Sequence, residues 1–241
     1  METNIVSVKT FEDQERVASL FKTYDLLSMP VVDIENRLVG IITVDDIVDI
    51  IEQENTEDFQ KMAAMEPSEE PYLKTPVLTL AKKRIVWLLV LMVSATVTGS
   101  IIQGFEDVLQ SVVILASFIP MLMDTGGNSG SQSSTLVIRG LALGEITTKD
   151  FLKVIFKEFR VSIVVATVLA IVNFLRLYFF TSADLMISLT VCASLFLTVV
   201  LAKIVGGVLP IISKKLKLDP AIMASPLITT IVDAFALIVY F

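Results

Sequence analysis

Three side chains in the last apolar segment, Ser225, Thr229 and Asp233, are spaced by four residues and so fall on one narrow stripe of a helix. Pro226, in the same segment, has no N–H, which leaves the carbonyl of Ile222 without its intrahelical partner. Hydroxyls, a freed carbonyl and a carboxylate make a hard-oxygen surface of the kind that suits Mg²⁺ or Ca²⁺ rather than softer metals. Hydroxyls can also simply tie helices together, with Asp233 capping a neighbour. An aspartate near the middle of an apolar span, with no basic partner in that span, is costly enough to favour ion chemistry. A second polar constellation interrupts an apolar run at residues 120–135, PMLMDTGGNSGSQSST. Pro120 and Gly126–Gly130 are expected to break or loosen the helix there, so that backbone carbonyls and the amides of Asn128 and Gln132 hold or replace ion-bound water. Gly127, Asn128, Ser131 and Gln132 are therefore candidates to line an ion path, with Asp124 a secondary candidate. The small residues in this stretch would also let a neighbouring helix approach closely.

A third cluster is acidic. Asp45, Asp46, Asp49, Glu52, Glu54, Glu57 and Asp58 fall within fourteen residues that contain no base. A solvated helix face is the ordinary fate of such a run. Like charges at i,i+3 and i,i+4 destabilise a helix, however, so seven mutually repelling carboxylates point to a counter-ion, most economically a divalent cation.

These groups need elements to position them. The chain has 241 residues, 54% of them hydrophobic, and a mean hydropathy of +0.76, which is more apolar surface than a soluble domain can bury. Residues 1–84 hold 17 acids against 9 bases and residues 85–241 hold 9 against 10, so an acidic soluble portion precedes a near-neutral membrane portion. Histidine is absent and Cys192 is the only cysteine, which excludes histidine-containing metal sites, cysteine-based zinc sites and an internal disulfide. No signal peptide is visible in the acidic first twenty residues.

Five apolar segments, at 85–105, 109–138, 160–181, 184–209 and 219–241, approach the length of about 20 residues needed to cross a bilayer. The basic residues fix their orientation. Lys82, Lys83 and Arg84 precede the first segment. Arg139, Lys149, Lys153, Lys157 and Arg160 link the second to the third, and Lys214, Lys215 and Lys217 link the fourth to the fifth. Every basic link lies on the side of the N-terminus, so the expected topology is N-terminus cytoplasmic and C-terminus outside. Arg176 and Lys203, placed near span ends, are expected to snorkel to the headgroups, while Trp87 and Tyr178 suit the interfacial belt.

Residues 5–54 read as β-α-β-β-α: the strand IVSVK, an amphipathic helix with Val17, Leu20, Phe21 and Tyr24 on one face, two apolar strands, and the acidic helix. With its GIITVDD run the stretch resembles a CBS motif, a unit normally found in pairs. The Thr43 and Asp46 positions often contact a nucleotide ribose in that family, so an adenine nucleotide is a second expected ligand. A single unit exposes a sheet face that calls for pairing with another chain. The chain begins as though an earlier unit preceded it, so Met1 is expected to mark a fragment boundary. The expected organisation is a single CBS motif over 1–54, a linker with a plug-like helix over 55–84 and a five-helix pore domain over 85–241. The fold class is an α-helical membrane protein whose five transmembrane helices follow a small α/β unit.

The stretches GGNSGSQSSTLVIRGLALGEI and DPAIMASPLITTIVD resemble the MgtE family of magnesium channels and transporters, and the order of CBS-like unit, linker and spans agrees over essentially the whole chain. The resemblance implies a homodimer in the plasma membrane, with a pore on its two-fold axis between the second and fifth spans. It further implies that Asp233 binds hydrated Mg²⁺ in the cytoplasmic half of that pore. Gly127, Asn128, Ser131, Gln132, Ser225, Pro226 and Thr229 are the expected pore lining. Asp46, Asp49, Glu54, Glu57 and Asp58 match the regulatory Mg²⁺ positions of the family's CBS module, and Asp219 joins the metal candidates. The implied function is Mg²⁺ uptake gated by cytosolic Mg²⁺, which is then both transported ion and regulatory ligand; no nucleic-acid partner and no enzymatic activity are expected. The family's acidic N-terminal domain and first CBS unit have no counterpart here, and Ser131 and Ser225 stand where some relatives carry asparagine. The alternative is a secondary transporter of Mg²⁺, Co²⁺ or Mn²⁺ coupled to an ion gradient. A nucleotide sensor anchored by its membrane part is a further class. An intramembrane aspartyl protease using Asp124 and Asp233 would need a Gly-x-Gly-Asp signature that neither residue has.

Overall fold

The computed structural model describes residues 5–68, 70–181 and 184–241, which form two compact units. The first holds the described residues of Met1–Gln60 and Pro67–Leu73. Its strands β1 (Val8–Lys9), β2 (Ser28–Val32) and β3 (Leu38–Thr43) form a three-stranded sheet in that order, β1 parallel and β3 antiparallel to β2. Helix α1 (Gln14–Tyr24) starts where the Asp13 carboxylate accepts from the backbone N–H of Glu15 and Arg16, and it ends at left-handed Asp25. Asp33 likewise builds the β2–β3 turn by accepting from the N–H groups of Glu35 and Arg37 at 2.9 and 2.8 Å. Val8, Val17, Ala18, Phe21, Met29 and Ile47 make the core of the unit, whereas Tyr24 is exposed. On β3, Leu38, Val39 and Ile41 are exposed.

Helix α2 (Val44–Met62) carries the whole acidic run and continues through the segment expected to begin the linker. A reciprocal pair follows it. Gln60 Nε2 donates to the Ser68 carbonyl at 3.0 Å, and Ser68 N–H donates to Gln60 Oε1 at 2.6 Å.

The second unit, Lys61–Glu66 with Lys74–Phe241, is helical. It contains α3 (Val77–Gly104), α4 (Glu106–Ser111), α5 (Ile119–Ala142), α6 (Phe151–Phe180), α7 (Leu185–Lys215) and α8 (Ser225–Tyr240). Among the described residues, three helices are long and apolar enough to cross a membrane: Val77–Gly104, Thr148–Phe180 and Leu185–Lys215. Pro226–Tyr240 is apolar but shorter, and polar residues punctuate α5. Helix α5 packs against both α7 and α8, α6 lies on α7, and α3 lies on α8. The core of this unit is built on residues such as Leu122, Ala166, Val191, Leu195, Val199 and Leu237.

Two expectations about broken helices are corrected. The glycine-rich stretch does not interrupt its helix: α5 runs unbroken from Ile119, with Pro120 in its first turn, where the missing N–H costs nothing. The irregular backbone lies upstream, in a 3₁₀ turn at Val113–Phe118. Pro226 is likewise in the first turn of α8 rather than inside a longer helix, because Pro220–Met223 forms a separate 3₁₀ turn. The carbonyl of Met223 lies in that junction, where Ser134 Oγ donates to it at 2.5 Å.

Candidate functional site

Helix α5 has two polar faces with different fates. One is small and buried. A β-carbon on Gly126 would lie 2.8 Å from Thr198 Cγ2 and 2.9 Å from Val232 Cγ1, and one on Gly127 would lie 2.8 Å from Thr229 Cγ2. Gly206 of α7 meets α5 most closely, since its added β-carbon would stand 2.1 Å from the Gly130 carbonyl oxygen. The glycines thus serve close packing, with α5 seated between α7 and α8. Gly127 is buried in that contact, against Thr229. Ser133 on the same face donates to Glu158 Oε2 of α6 at 2.6 Å.

The other face is open. Asp124, Asn128 and Gln132, at i, i+4 and i+8, are exposed in line, with Thr135 also exposed and Ser131 half-buried beside them. Helix α8 brings half-buried Asp233 and Thr229 to this region, and Asp233 lies near enough to Asp124 for their charges to interact. The Thr229 hydroxyl donates to the Pro226 carbonyl at 2.9 Å, leaving its lone pairs to accept. Two carboxylates, a hydroxyl and the Asn128 carboxamide on one side of an apolar bundle can bind a hydrated cation through its water protons. Serine 225 opens α8, and its side chain lies outside the described residues.

The remaining metal candidates are placed apart from this face. Asp219 accepts from the Ala221 N–H at 2.8 Å and pairs with Lys61 Nζ at 2.6 Å, so its carboxylate caps the turn before α8. Asp46 accepts from the Thr43 hydroxyl at 2.6 Å and the Thr43 N–H at 2.9 Å. Those two bonds, the hydroxyl first, hold its carboxyl below the usual carboxylate range. Glu54 accepts from Gln14 Nε2 at 2.7 Å. Asp49 lies on the same helix, and Glu57 and Asp58 lie one turn beyond Glu54, each with partners of its own. Among the described residues no three acidic, cysteine or histidine side chains converge as a metal cluster.

Sequence reasoning missed Glu158 and misplaced Lys203. The sequence reading did not single out Glu158; α6 begins earlier than the apolar run and sets half-buried Glu158 on the same face as Val154, Ser162 and Ala166. That i,i+4 series was the available signal. Lys203 does not snorkel: it is 4% exposed near the middle of α7 and donates to Gln132 Oε1 at 3.5 Å. Twelve residues separate it from the end of α7, about 18 Å at 1.5 Å per residue, beyond a lysine's reach. Arg176, near the end of α6, is exposed and donates to Asn173 Oδ1 at 2.9 Å.

An apolar helical bundle with an open acidic and amide-bearing stripe, joined to a small βαββα unit, defines the class of multi-pass membrane proteins that carry polar groups within their helices. Consistent with that class, a family model described as a divalent cation transporter, MgtE, matches residues 119–241, and a CBS-domain model matches residues 1–53. The chain belongs to the MgtE family. It is 42% identical to the magnesium transporter MgtE of Bacillus subtilis and 40% identical to that of Thermus thermophilus, in each case over the full chain and 53% of the relative. It is 32% identical to that of Enterococcus faecalis, over 98% of the chain and 51% of the relative. The chain therefore spans about half the length of the curated relatives it matches.

Proposed function

We propose that this chain forms the pore of a Mg²⁺ channel or transporter that mediates magnesium uptake across the plasma membrane. The observation that carries the reading is the exposed stripe Asp124, Asn128 and Gln132 beside Asp233. Such groups facing hydrocarbon would be prohibitively placed, so they must line water or another chain. A second copy related by a two-fold axis closes the stripe upon itself and makes a water-filled path between two α5–α8 pairs. Five crossings, by α3, α5, α6, α7 and α8, put every basic link on the cytoplasmic side and the C-terminus outside. The name the relatives carry, magnesium transporter MgtE, supports Mg²⁺ as the ion.

Asp233, Thr229 and Asn128 hold the ion through its hydration shell, with Gln132 lining the same path, because Mg²⁺ gives up water reluctantly. The acidic helix α2 acts as the sensor. At low cytosolic Mg²⁺ its carboxylates repel each other and the pore is free to open; at high Mg²⁺ they are neutralised and the pore closes. Residues 55–84 transmit that change. An adenine nucleotide at Thr43 and Asp46 is a second ligand of the same unit.

Mg²⁺ flux into liposomes tests the pore assignment. Asp233→Ala should lose nearly all flux while keeping the parent's fold and monodispersity; full retention would remove Asp233 from the pathway. Collapsing the Na⁺ and proton gradients separates a channel, whose flux persists, from a coupled transporter, whose flux stops.

A further inference from the structure

Lys203 is the one strongly charged group that the stripe of acids and amides does not explain. It lies near the middle of α7, 4% exposed, and among the described residues its ammonium forms no ion pair. Burying an ammonium without a carboxylate partner is expensive, and such a group inside a membrane bundle is retained for a role in the ion path. The carboxylate of Glu158, whose side chain packs against Gly207 one turn along α7 from Lys203, accepts from the Ser133 hydroxyl at Oε2. The hydrogen bond Lys203 does make runs to Gln132 Oε1 at 3.5 Å, and Gln132 is the innermost amide of the open stripe.

An ammonium can only donate, so whichever way the carboxamide is drawn, its oxygen must face Lys203 and its NH₂ must face the open side. We propose that Lys203 is a positioning and specificity-determining residue of the cation pathway. By holding the Gln132 oxygen back it denies a passing cation a direct ligand, and its charge, set behind the wall, discourages a second ion from lodging there. A cation moving inward from Asp124 and Asp233 meets first a negative level and then, about 12 Å further along α5 at 1.5 Å per residue, an amide N–H₂ backed by positive charge. An ion that keeps its water passes such a level; one that must exchange water for a protein oxygen finds none. Mg²⁺ dehydrates reluctantly, whereas Ca²⁺ accepts irregular oxygen shells, so the arrangement disfavours Ca²⁺ relative to Mg²⁺.

The inference rests on the pore reading above and is tested with the full chain in liposomes. Lys203→Met removes the charge and frees the amide to turn its oxygen outward. Gln132→Glu neutralises the ammonium in place without opening a cavity, so it covers the case in which Lys203→Met fails to fold. Both variants should lower the half-saturating Mg²⁺ concentration by roughly tenfold, the scale for a unit charge acting on a divalent ion through a partly hydrated wall. Both should also raise the Ca²⁺-to-Mg²⁺ flux ratio several-fold, while Lys203→Arg keeps the parent's ratio. A purely structural lysine would change the amount of active protein but neither the half-saturating concentration nor the ion ratio. If the parent carries Mg²⁺ and Asp233→Ala does not, but Lys203→Met and Gln132→Glu keep the parent's half-saturation and ratio, this inference alone is overturned. If the parent carries no Mg²⁺, the pore reading fails and this inference falls with it.

Discussion

At the scale of single residues, much of the chemistry turns on carboxylates that the chain either leaves open or occupies. Asp233 and Asp124 lie near enough for their charges to interact, whereas Asp219 is occupied by the Ala221 N–H and Lys61. Asp46 is held by Thr43, and the consequence is measurable. Its carboxyl titrates below the ordinary value because the Thr43 hydroxyl and N–H favour the charged form. A depressed folded-state value stabilises the start of α2 fully above the unfolded aspartate's range, and the contribution is lost as pH falls through the lower folded value. Following the Asp46 carboxyl resonance by NMR through an acid titration should show this low midpoint, and Thr43→Val should move it up towards the ordinary value. An unmoved midpoint would mean that Thr43 is not the cause.

At the scale of elements, α5 is the informative case. Its polar residues divide by helical phase into a buried small face and an open polar face, so glycine and amide, adjacent in the sequence, meet different surroundings. The closest approach is between Gly206 and the Gly130 carbonyl, and neither backbone can yield easily. Gly206→Ala should therefore destabilise the bundle by about 1–3 kcal/mol through overpacking, outweighing alanine's helix preference of about 1 kcal/mol. Gly99→Ala on α3, where an added β-carbon meets nothing within 4 Å, should leave stability unchanged or raise it by up to about 1 kcal/mol. Thermal unfolding in detergent compares the two, and equal midpoints would deny the α5–α7 contact. That Thr229 and Asp233 share a face of α8 was legible from spacing alone, because a helix maps i,i+4 onto one face whatever surrounds it. The start of α6, and with it Glu158, was not. Hydropathy marks where lipid begins, whereas the helix continues into polar sequence wherever a neighbour, here Ser133 and Gly207, takes up its carboxylate.

At the scale of the whole molecule, the proposed reading joins an acidic sensor to a cation pathway in one chain, and the two would make a feedback device if the same ion served both. Replacing Asp46, Asp49 and Glu54 by asparagine, asparagine and glutamine should raise the Mg²⁺ concentration that half-inhibits flux at least several-fold, with the uninhibited flux unchanged. Unaltered inhibition would separate the acidic run from gating. What the sequence by itself determined was everything carried by local period, length and charge: the βαββα order, the apolar helices, the basic links and the polar stripe of α8. Tertiary structure alone decided which face of α5 is covered, that its glycines sit in an intact helix, and that Lys203 lies buried behind Gln132 instead of reaching for the headgroups. Those outcomes depend on which helices abut and how closely. Contacts such as Gly206 on Gly130 join residues far apart in the chain, and no periodicity within either segment reports on the other.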